Sequence, residues 1–169
     1  MSHQDHAAMT QGSMAAQSGG AGHGRPYLQL LLWLPVHVAV MYVLMFAMID
    51  RAGDFWNNVN MLWMAILMAA PMNVIMMVSM RGMYPDLGKT AVVAALSVAL
   101  GVGSWLAIRQ QWGVGDTQFL RSMIPHHSGA ILMCREAVLT DPRIRELCDT
   151  IEAGQRAEVE QMEALLAER

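Results

Sequence analysis

Residues 27–49 read YLQLLLWLPVHVAVMYVLMFAMI, a run of 23 residues without a charged side chain. An α-helix rises about 1.5 Å per residue, so roughly 20 apolar residues suffice to cross the hydrocarbon core of a bilayer. Two further runs of 20 and 18 residues follow at 61–80 and 91–108, and each of the three ends at a charged residue. The sequence therefore predicts three transmembrane helices within residues 27–110.

The overall composition agrees with a membrane protein, since 54% of the 169 residues are hydrophobic and only 15% are charged. Soluble domains usually carry about 25% charged residues. Residues 1–108 hold four basic and four acidic residues, whereas residues 109–169 hold seven and ten. The last third thus has the composition of a soluble domain. No basic stripe occurs, which argues against nucleic acid as a partner.

Residues 1–26 precede the first apolar run and are rich in Gly, Ala, Ser and Gln. They lack the bulky apolar residues that a core needs, so we expect a disordered tail. The tail has neither the basic start nor the early apolar run of a signal peptide. It does contain imidazole and thioether groups that could form an accessory metal site: His3, His6, Met9, Met14 and His23.

Residues 115–169 have the pattern of two amphipathic helices joined by a short turn, which predicts an antiparallel helical hairpin. Asp116 is the predicted N-cap of the first helix, which should run to about Val138. Asp141 followed by Pro142 is a start signal for the second helix, which continues almost to the end of the chain. The predicted fold class is therefore all-α, with three transmembrane helices followed by this hairpin.

Potential metal ligands are concentrated in residues 119–134, FLRSMIPHHSGAILMC. Pro125 removes one backbone hydrogen bond and should kink the helix just before the two histidines. The spacing of Met123, His127 and Cys134 places them on one helical face, and His126 and Met133 share an adjacent face. We favour the interpretation that these residues are metal ligands. In the alternative, the histidines only pack or form hydrogen bonds.

Potential partners lie on the second helix of the hairpin. If Cys134 faces Cys148, an antiparallel register also places His127 opposite Gln155, and Leu120 opposite Met162. The same register puts Met123 opposite Val159, next to Glu158. The cysteines could be metal ligands, buried apolar residues or a disulfide, and the sequence does not choose among these. Gln155 and Glu158 could form hydrogen bonds that orient His127 without binding the metal themselves. Alternatively, Glu158 could be a solvated surface charge.

The run from Met123 to His127 resembles the CopM-like family, long catalogued as a domain of unknown function. Ala130, Met133, Gln155, Glu158 and Met162 downstream, with Asp116 and Phe119 upstream, are part of the resemblance, which spans roughly residues 115–169. It implies a helical, ferritin-like domain in the membrane-anchored branch of the family. Some members are periplasmic proteins that bind copper or silver. By this resemblance the metal ligands are Met123, His126, His127 and Met133, with Asp116 and Met162 as further candidates.

Several properties of the assembly follow as expectations. The hairpin is shorter than the domain of the soluble members, and two amphipathic helices alone cannot bury their apolar faces. Two hairpins packed as a four-helix bundle would, which predicts a homodimer or higher oligomer. The chain should be a multi-pass protein of the cytoplasmic (inner) membrane. Basic residues balance between the two sides, so only the resemblance places the hairpin outside the cytoplasm.

The first two apolar runs also contain regularly spaced methionines. Met61, Met64, Met68, Met72, Met76 and Met80 follow one another at steps of three or four residues, and His37, Met41, Met45 and Met48 form a similar line. Such a ladder of thioethers could pass Cu(I) across the bilayer. The alternative, which we favour for the ladder as a whole, is that these methionines only pack against neighbouring helices and lipid.

The leading interpretation is a protein of metal homeostasis or tolerance that binds Cu(I), with Ag(I) as the second candidate ion. We do not expect it to be an enzyme. Thioether, imidazole and thiolate groups together suit Cu(I) better than Zn(II). One alternative is a structural membrane oligomer without a metal. Another is a thiol-redox protein, although the two cysteines do not form a Cys-x-x-Cys pair.

Overall fold

The computed structural model describes residues 25–169, and all regular structure in that range is helical. Five α-helices follow one another: α1 Arg25–Leu44, α2 Val59–Ser79, α3 Leu87–Gln110, α4 Asp116–Glu136 and α5 Pro142–Ala167. Short 3-10 turns at Met45–Met48, Ala52–Asp54 and Arg81–Met83 lie between the first three helices. The all-α prediction is confirmed. The tail ligands His3, His6, Met9, Met14 and His23 lie outside the described residues.

The first three helices are long and apolar enough to cross a membrane, over Pro26–Met48, Val59–Ser79 and Leu87–Gln110. Their outer surfaces expose large apolar side chains, among them Leu31, Ile75 and Leu96. In water such exposure would be unfavourable, whereas lipid accepts it. The three predicted spans are thus confirmed as elements of the fold, each with slightly different ends.

Small residues bring the membrane helices together. Ala65, Ala69 and Ala70 of α2 are almost completely buried, as is Ala107 of α3. A Cβ atom built on Gly101 of α3 would lie 3.5 Å from the Cβ of Ala70. Helices in lipid associate through such close contacts, because no hydrophobic effect draws them together there.

The last two helices form the predicted antiparallel hairpin. Leu120 and Ile124 of α4 pack against Val159 and Met162 of α5 in one buried cluster. Asp141 caps α5 as predicted, accepting a hydrogen bond from the backbone N–H of Arg143 at 2.9 Å, and Pro142 is the first helical residue.

The predicted start and end of α4 need correction. Its N-cap is Gly115, and Asp116 is already helical, with no capping hydrogen bond from its side chain. A carboxylate in the first turn still interacts favourably with the positive end of the helix dipole. The helix ends at Glu136, before the predicted Val138.

The hairpin rests on one end of the membrane helices, where α1 ends and α2 begins. Helix α4 contacts the 3-10 turns Met45–Met48 and Ala52–Asp54 as well as α2. The side-chain oxygen of Gln118 accepts a hydrogen bond from the first backbone N–H of α2, on Val59, at 3.0 Å. The histidine-containing stretch of α4 therefore faces the chain that follows α1.

Candidate functional site

Cys134 and Cys148 form a disulfide that joins α4 to α5, with their Cα atoms 5.2 Å apart. Of the three states that the sequence left open, the structure has the disulfide. The prediction that these cysteines ligate a metal is wrong for this oxidised form, because both sulfurs are already covalently bonded to each other. The bond also confirms the register that sets Cys134 opposite Cys148.

His127 is buried and both of its ring nitrogens have partners. Nδ1 lies 2.8 Å from the carbonyl oxygen of Met123, and Nε2 lies 2.8 Å from a carboxylate oxygen of Glu158. A carbonyl only accepts, so Nδ1 carries a hydrogen. The other nitrogen, Nε2, faces the carboxylate of Glu158.

These contacts decide between the two proposed partners of His127. Glu158 holds the ring, and Gln155 makes no hydrogen bond to it in the described part of the chain. Because Nδ1 donates to a backbone carbonyl, Nε2 is the nitrogen of His127 that could face a metal ion, and in this structure it lies beside the carboxylate of Glu158.

Three other predicted ligands also have protein partners. Met162 belongs to the buried cluster with Leu120, and Met123 packs against the same cluster. Asp116 is exposed and pairs with Arg169 at 3.1 Å. Met123 and Met162 thus share one cluster between the two helices, whereas Asp116 lies apart from it on the surface.

His126 and Met133 remain as predicted ligands of the hairpin, and both are exposed. They lie seven residues apart on one face of α4, which is two helical turns. Ala130 lies between them in the sequence on the same helical face and has only a small side chain.

No group of three or more His, Cys, Asp or Glu side chains is arranged to hold a metal ion within residues 25–169. A site built from one histidine and one methionine, such as His126 and Met133, would not be such a group, because it does not contain three side chains of these four types. A single chain nevertheless offers only this pair on the exposed face of α4.

A buried acidic cluster beside the histidines was not predicted from the sequence. The hydroxyl of Ser128 donates a hydrogen bond to the carboxylate of Asp54, and it accepts one at 2.6 Å from the backbone N–H of Asp50. The side chains of Asp50 and Asp54 are only 1% and 2% exposed. Ser128 thus ties α4 to the connection between α1 and α2.

Two arginines of the hairpin neutralise the buried carboxylate of Asp50. Arg135 of α4 contacts one oxygen, and Arg156 of α5 lies 3.6 Å from the other. The hydrogen bond from Arg135 to Glu136 raises the pKa of Arg135, and the bond from Arg156 to Glu152 does the same for its pKa. Both guanidinium groups are therefore charged, as a buried carboxylate requires.

A signal for this docking was present in the sequence. A Cβ on Gly129 would lie 3.4 Å from the carbonyl oxygen of Met48, so α4 approaches the backbone of the turn closely at this glycine. A glycine inside a predicted helix usually has such a packing reason. What it packs against, however, could not be read from neighbouring residues.

The sequence profile of a family described as "Domain of unknown function (DUF305)" matches residues 68–166, from the middle of α2 to the end of the hairpin. The chain is also similar to "Uncharacterized protein L153" of Acanthamoeba polyphaga mimivirus, with 33% identity over 122 residues. That alignment covers 71% of this chain and 78% of the viral protein. No solved structure matches the chain.

Proposed function

The chain belongs to the DUF305 family, and on that premise we propose that it is a membrane-anchored protein that binds a soft metal ion, Cu(I) or Ag(I). Membership in the copper- and silver-binding CopM-like branch is part of this proposal. The observation that carries it is the exposed pair on α4, His126 and Met133; the ring of His126 meets that of His127 edge-on, with 6.1 Å between centroids, and forms no hydrogen bond among the described residues.

The chemistry of this pair suits a monovalent soft ion. Thioether sulfur favours Cu(I) over hard divalent ions, and imidazole is compatible with it. Two donors from one chain leave the ion open to solvent. A second copy of the chain, related by a twofold axis, would supply the same pair again and give two imidazoles and two thioethers.

Exposed apolar side chains near the hairpin turn support a second copy at this place. Val138 in the turn is 96% exposed, and Ile144 and Leu147 of the first turns of α5 are about half exposed. Met133 lies in the last turn of α4, so the proposed ligand adjoins this apolar surface. Burial of the surface between two hairpins would bring the two Met133 side chains toward each other.

The disulfide supports a location for the hairpin outside the cytoplasm. Disulfides persist in oxidising compartments such as the bacterial periplasm and are rare in the cytosol. With three spans between them, the tail and the hairpin then lie on opposite sides, and the tail faces the cytoplasm. In this orientation His126 and Met133 face the extracytoplasmic side, where they can bind a metal ion before it reaches the membrane.

The test is an anaerobic Cu(I) titration of the full-length protein in detergent, in competition with a chromophoric Cu(I) chelator. Removal of both donors in His126→Ala/Met133→Leu should abolish one bound Cu(I) per two chains. The exchange variant His126→Met/Met133→His keeps one imidazole and one thioether, and it should keep that ion. Sedimentation with and without Cu(I) reports the association of chains.

Unchanged stoichiometry and affinity in His126→Ala/Met133→Leu would refute the proposal. The hairpin would then serve as a structural element of a membrane oligomer, in which His127 and Ser128 hold α4 in place. A redox function of the cysteines would instead appear as activity that Cys134→Ser abolishes while Cu(I) binding stays intact.

A further inference from the structure

A second group of soft donors lies in the membrane region, toward the end of the bundle opposite the hairpin. A cavity of about 330 Å³ opens between the first half of α1 and the end of α2. Its walls include the side chains of Trp33, His37, Met76, Met80, Met83 and Tyr84. One imidazole and three thioethers thus line a single cavity, contributed by two helices and the 3-10 turn Arg81–Met83.

One nitrogen of the His37 imidazole, Nδ1, is buried without a hydrogen-bond partner among the described residues. Buried polar atoms are almost always paired, and an unpaired one calls for an explanation such as a bound ion. A lone pair on Nδ1 directed at a metal would satisfy the atom without any other polar group.

The residues that line the cavity favour a bound metal ion of low charge. Every residue around it is neutral: besides the six named above, these are Pro26, Gln29 and Leu30. A divalent ion would keep its full charge in this apolar setting, and the cost of desolvation rises steeply with charge. A monovalent ion with neutral soft ligands is the least costly to bury, which indicates Cu(I) or Ag(I).

The same geometry argues against one continuous ladder of methionines along α2. Steps of four residues turn the direction of the side chain by about 40° each, so the line winds around the helix. Met64, Met68 and Met72 do not line the cavity, whereas Met76 and Met80 do. Met80, like Met83, is about half exposed, so the cavity is open on that side. Only the end of the line meets His37.

We propose that His37, Met76, Met80 and Met83 form a binding site for Cu(I) within the membrane region, separate from the hairpin site. The chain enters α1 next to this cavity, so the His- and Met-containing tail is attached beside it in the sequence. The site needs no second chain, since one chain supplies four soft donors. It does not depend on the proposed function of the hairpin.

The experiment uses the full-length protein in lipid nanodiscs, with His126→Ala/Met133→Leu as the background so that the hairpin pair is absent. Cu(I) alone is titrated anaerobically against a chelator, and X-ray absorption reports sulfur and nitrogen neighbours. The background protein should bind one Cu(I) per chain, with both kinds of neighbour. His37→Gln should weaken this binding at least about tenfold, and the nitrogen signal should disappear.

Two triple variants test the thioethers against a matched control. Met76→Leu/Met80→Leu/Met83→Leu removes the sulfurs of the cavity, whereas Met64→Leu/Met68→Leu/Met72→Leu removes as many from the outer surface of α2. The first should lose Cu(I) and the second should retain it. His37→Met, which restores a soft donor, should bind more tightly than His37→Gln and so guards against a loss caused by misfolding.

The proposal is overturned if the background protein binds no Cu(I), or if His37→Gln and the cavity triple variant bind it unchanged. Equal losses in both triple variants would also overturn it, because binding would then follow the number of methionines and not their place. The hairpin proposal fails by a different result: replacing His126 and Met133 in the otherwise native chain would leave the number of Cu(I) ions bound per chain unchanged.

Discussion

The hydroxyl of Ser128 on α4 donates a hydrogen bond to the carboxylate of Asp54, which lies 74 residues earlier in the chain. Asp54 ends the 3-10 turn Ala52–Asp54, between the first two membrane helices. The same hydroxyl accepts a hydrogen bond from the backbone of Asp50. One side chain therefore fixes the hairpin to the membrane region, and it is adjacent in sequence to the histidine pair.

Ser128→Ala should lower the free energy of unfolding. The substitution leaves the buried carboxylate of Asp54 without its donor, which costs about 1–3 kcal/mol. Ser122→Ala is the matched control, because the Ser122 hydroxyl bonds only to the carbonyl of Gln118 within α4. Thermal unfolding in detergent, followed by circular dichroism, compares the two. Equal effects of both substitutions would show that the contact to Asp54 is not important.

Gly129→Ala and Gly154→Ala form a second pair within the hairpin. Alanine favours a helix over glycine by roughly 0.5–1 kcal/mol, and at Gly154 nothing lies close enough to oppose that gain. At Gly129 the new methyl group would meet the carbonyl of Met48 at 3.4 Å. Unfolding midpoints should therefore rise with Gly154→Ala and rise less, or fall, with Gly129→Ala. A larger rise at Gly129 would contradict the close approach of α4 to the turn.

The contact between His127 and Glu158 can be measured by a double-mutant cycle. His127→Ala and Glu158→Ala, alone and combined, should give a coupling of roughly 0.5–1.5 kcal/mol, since one partner is buried. The exposed pair Asp116 and Arg169 is the control and should couple much less. A coupling indistinguishable from the control would show that Glu158 does not hold the ring of His127 in place.

Local sequence signals predicted a large part of the fold, because they act over short distances. Long uncharged runs specified three membrane helices, and the Asp141-Pro142 pair marked the start of α5. The hairpin register followed from a turn near Asp141 that sets Cys134 opposite Cys148, and the disulfide between the two cysteines confirms it. The contact of Ser128 with Asp54 joins segments far apart in sequence, and no local pattern encodes it.

The candidate site was harder to predict for the same reason. Spacing alone showed that Met123, His127 and Cys134 share a face, but that face is buried against α5. There Met123 packs against the buried cluster, His127 contacts Glu158, and Cys134 is bonded to Cys148. His126 and Met133, one step around the helix, stay exposed. The cavity around His37 depends on how α1 meets the end of α2, which helix periodicity does not determine.

Acid should destabilise the hairpin partly through Asp141. Hydrogen bonds from the side chain of Arg143, and then from its backbone N–H, lower the pKa of Asp141 below its usual value. A lowered folded-state pKa contributes stability above the unfolded-state pKa, and that stability is lost as the pH falls through the folded value. Asp141→Asn keeps a capping side chain without the charge. Between about pH 5 and pH 2, its stability should therefore fall less steeply than that of the native chain.

Reduction of the disulfide should destabilise the hairpin without removing its metal ligands. Cys134 and Cys148 are 14 residues apart, and closing a loop of this size contributes about 3 kcal/mol, chiefly by restricting the unfolded chain. Cys134→Ser/Cys148→Ser should lower the unfolding midpoint accordingly, and a reductant should lower that of the native chain only. Cu(I) bound by His126 and Met133 should remain, since neither sulfur of the disulfide is a ligand. Loss of that ion in the double serine variant, at a temperature where circular dichroism shows the hairpin still folded, would mean that the cysteines bind the metal after all.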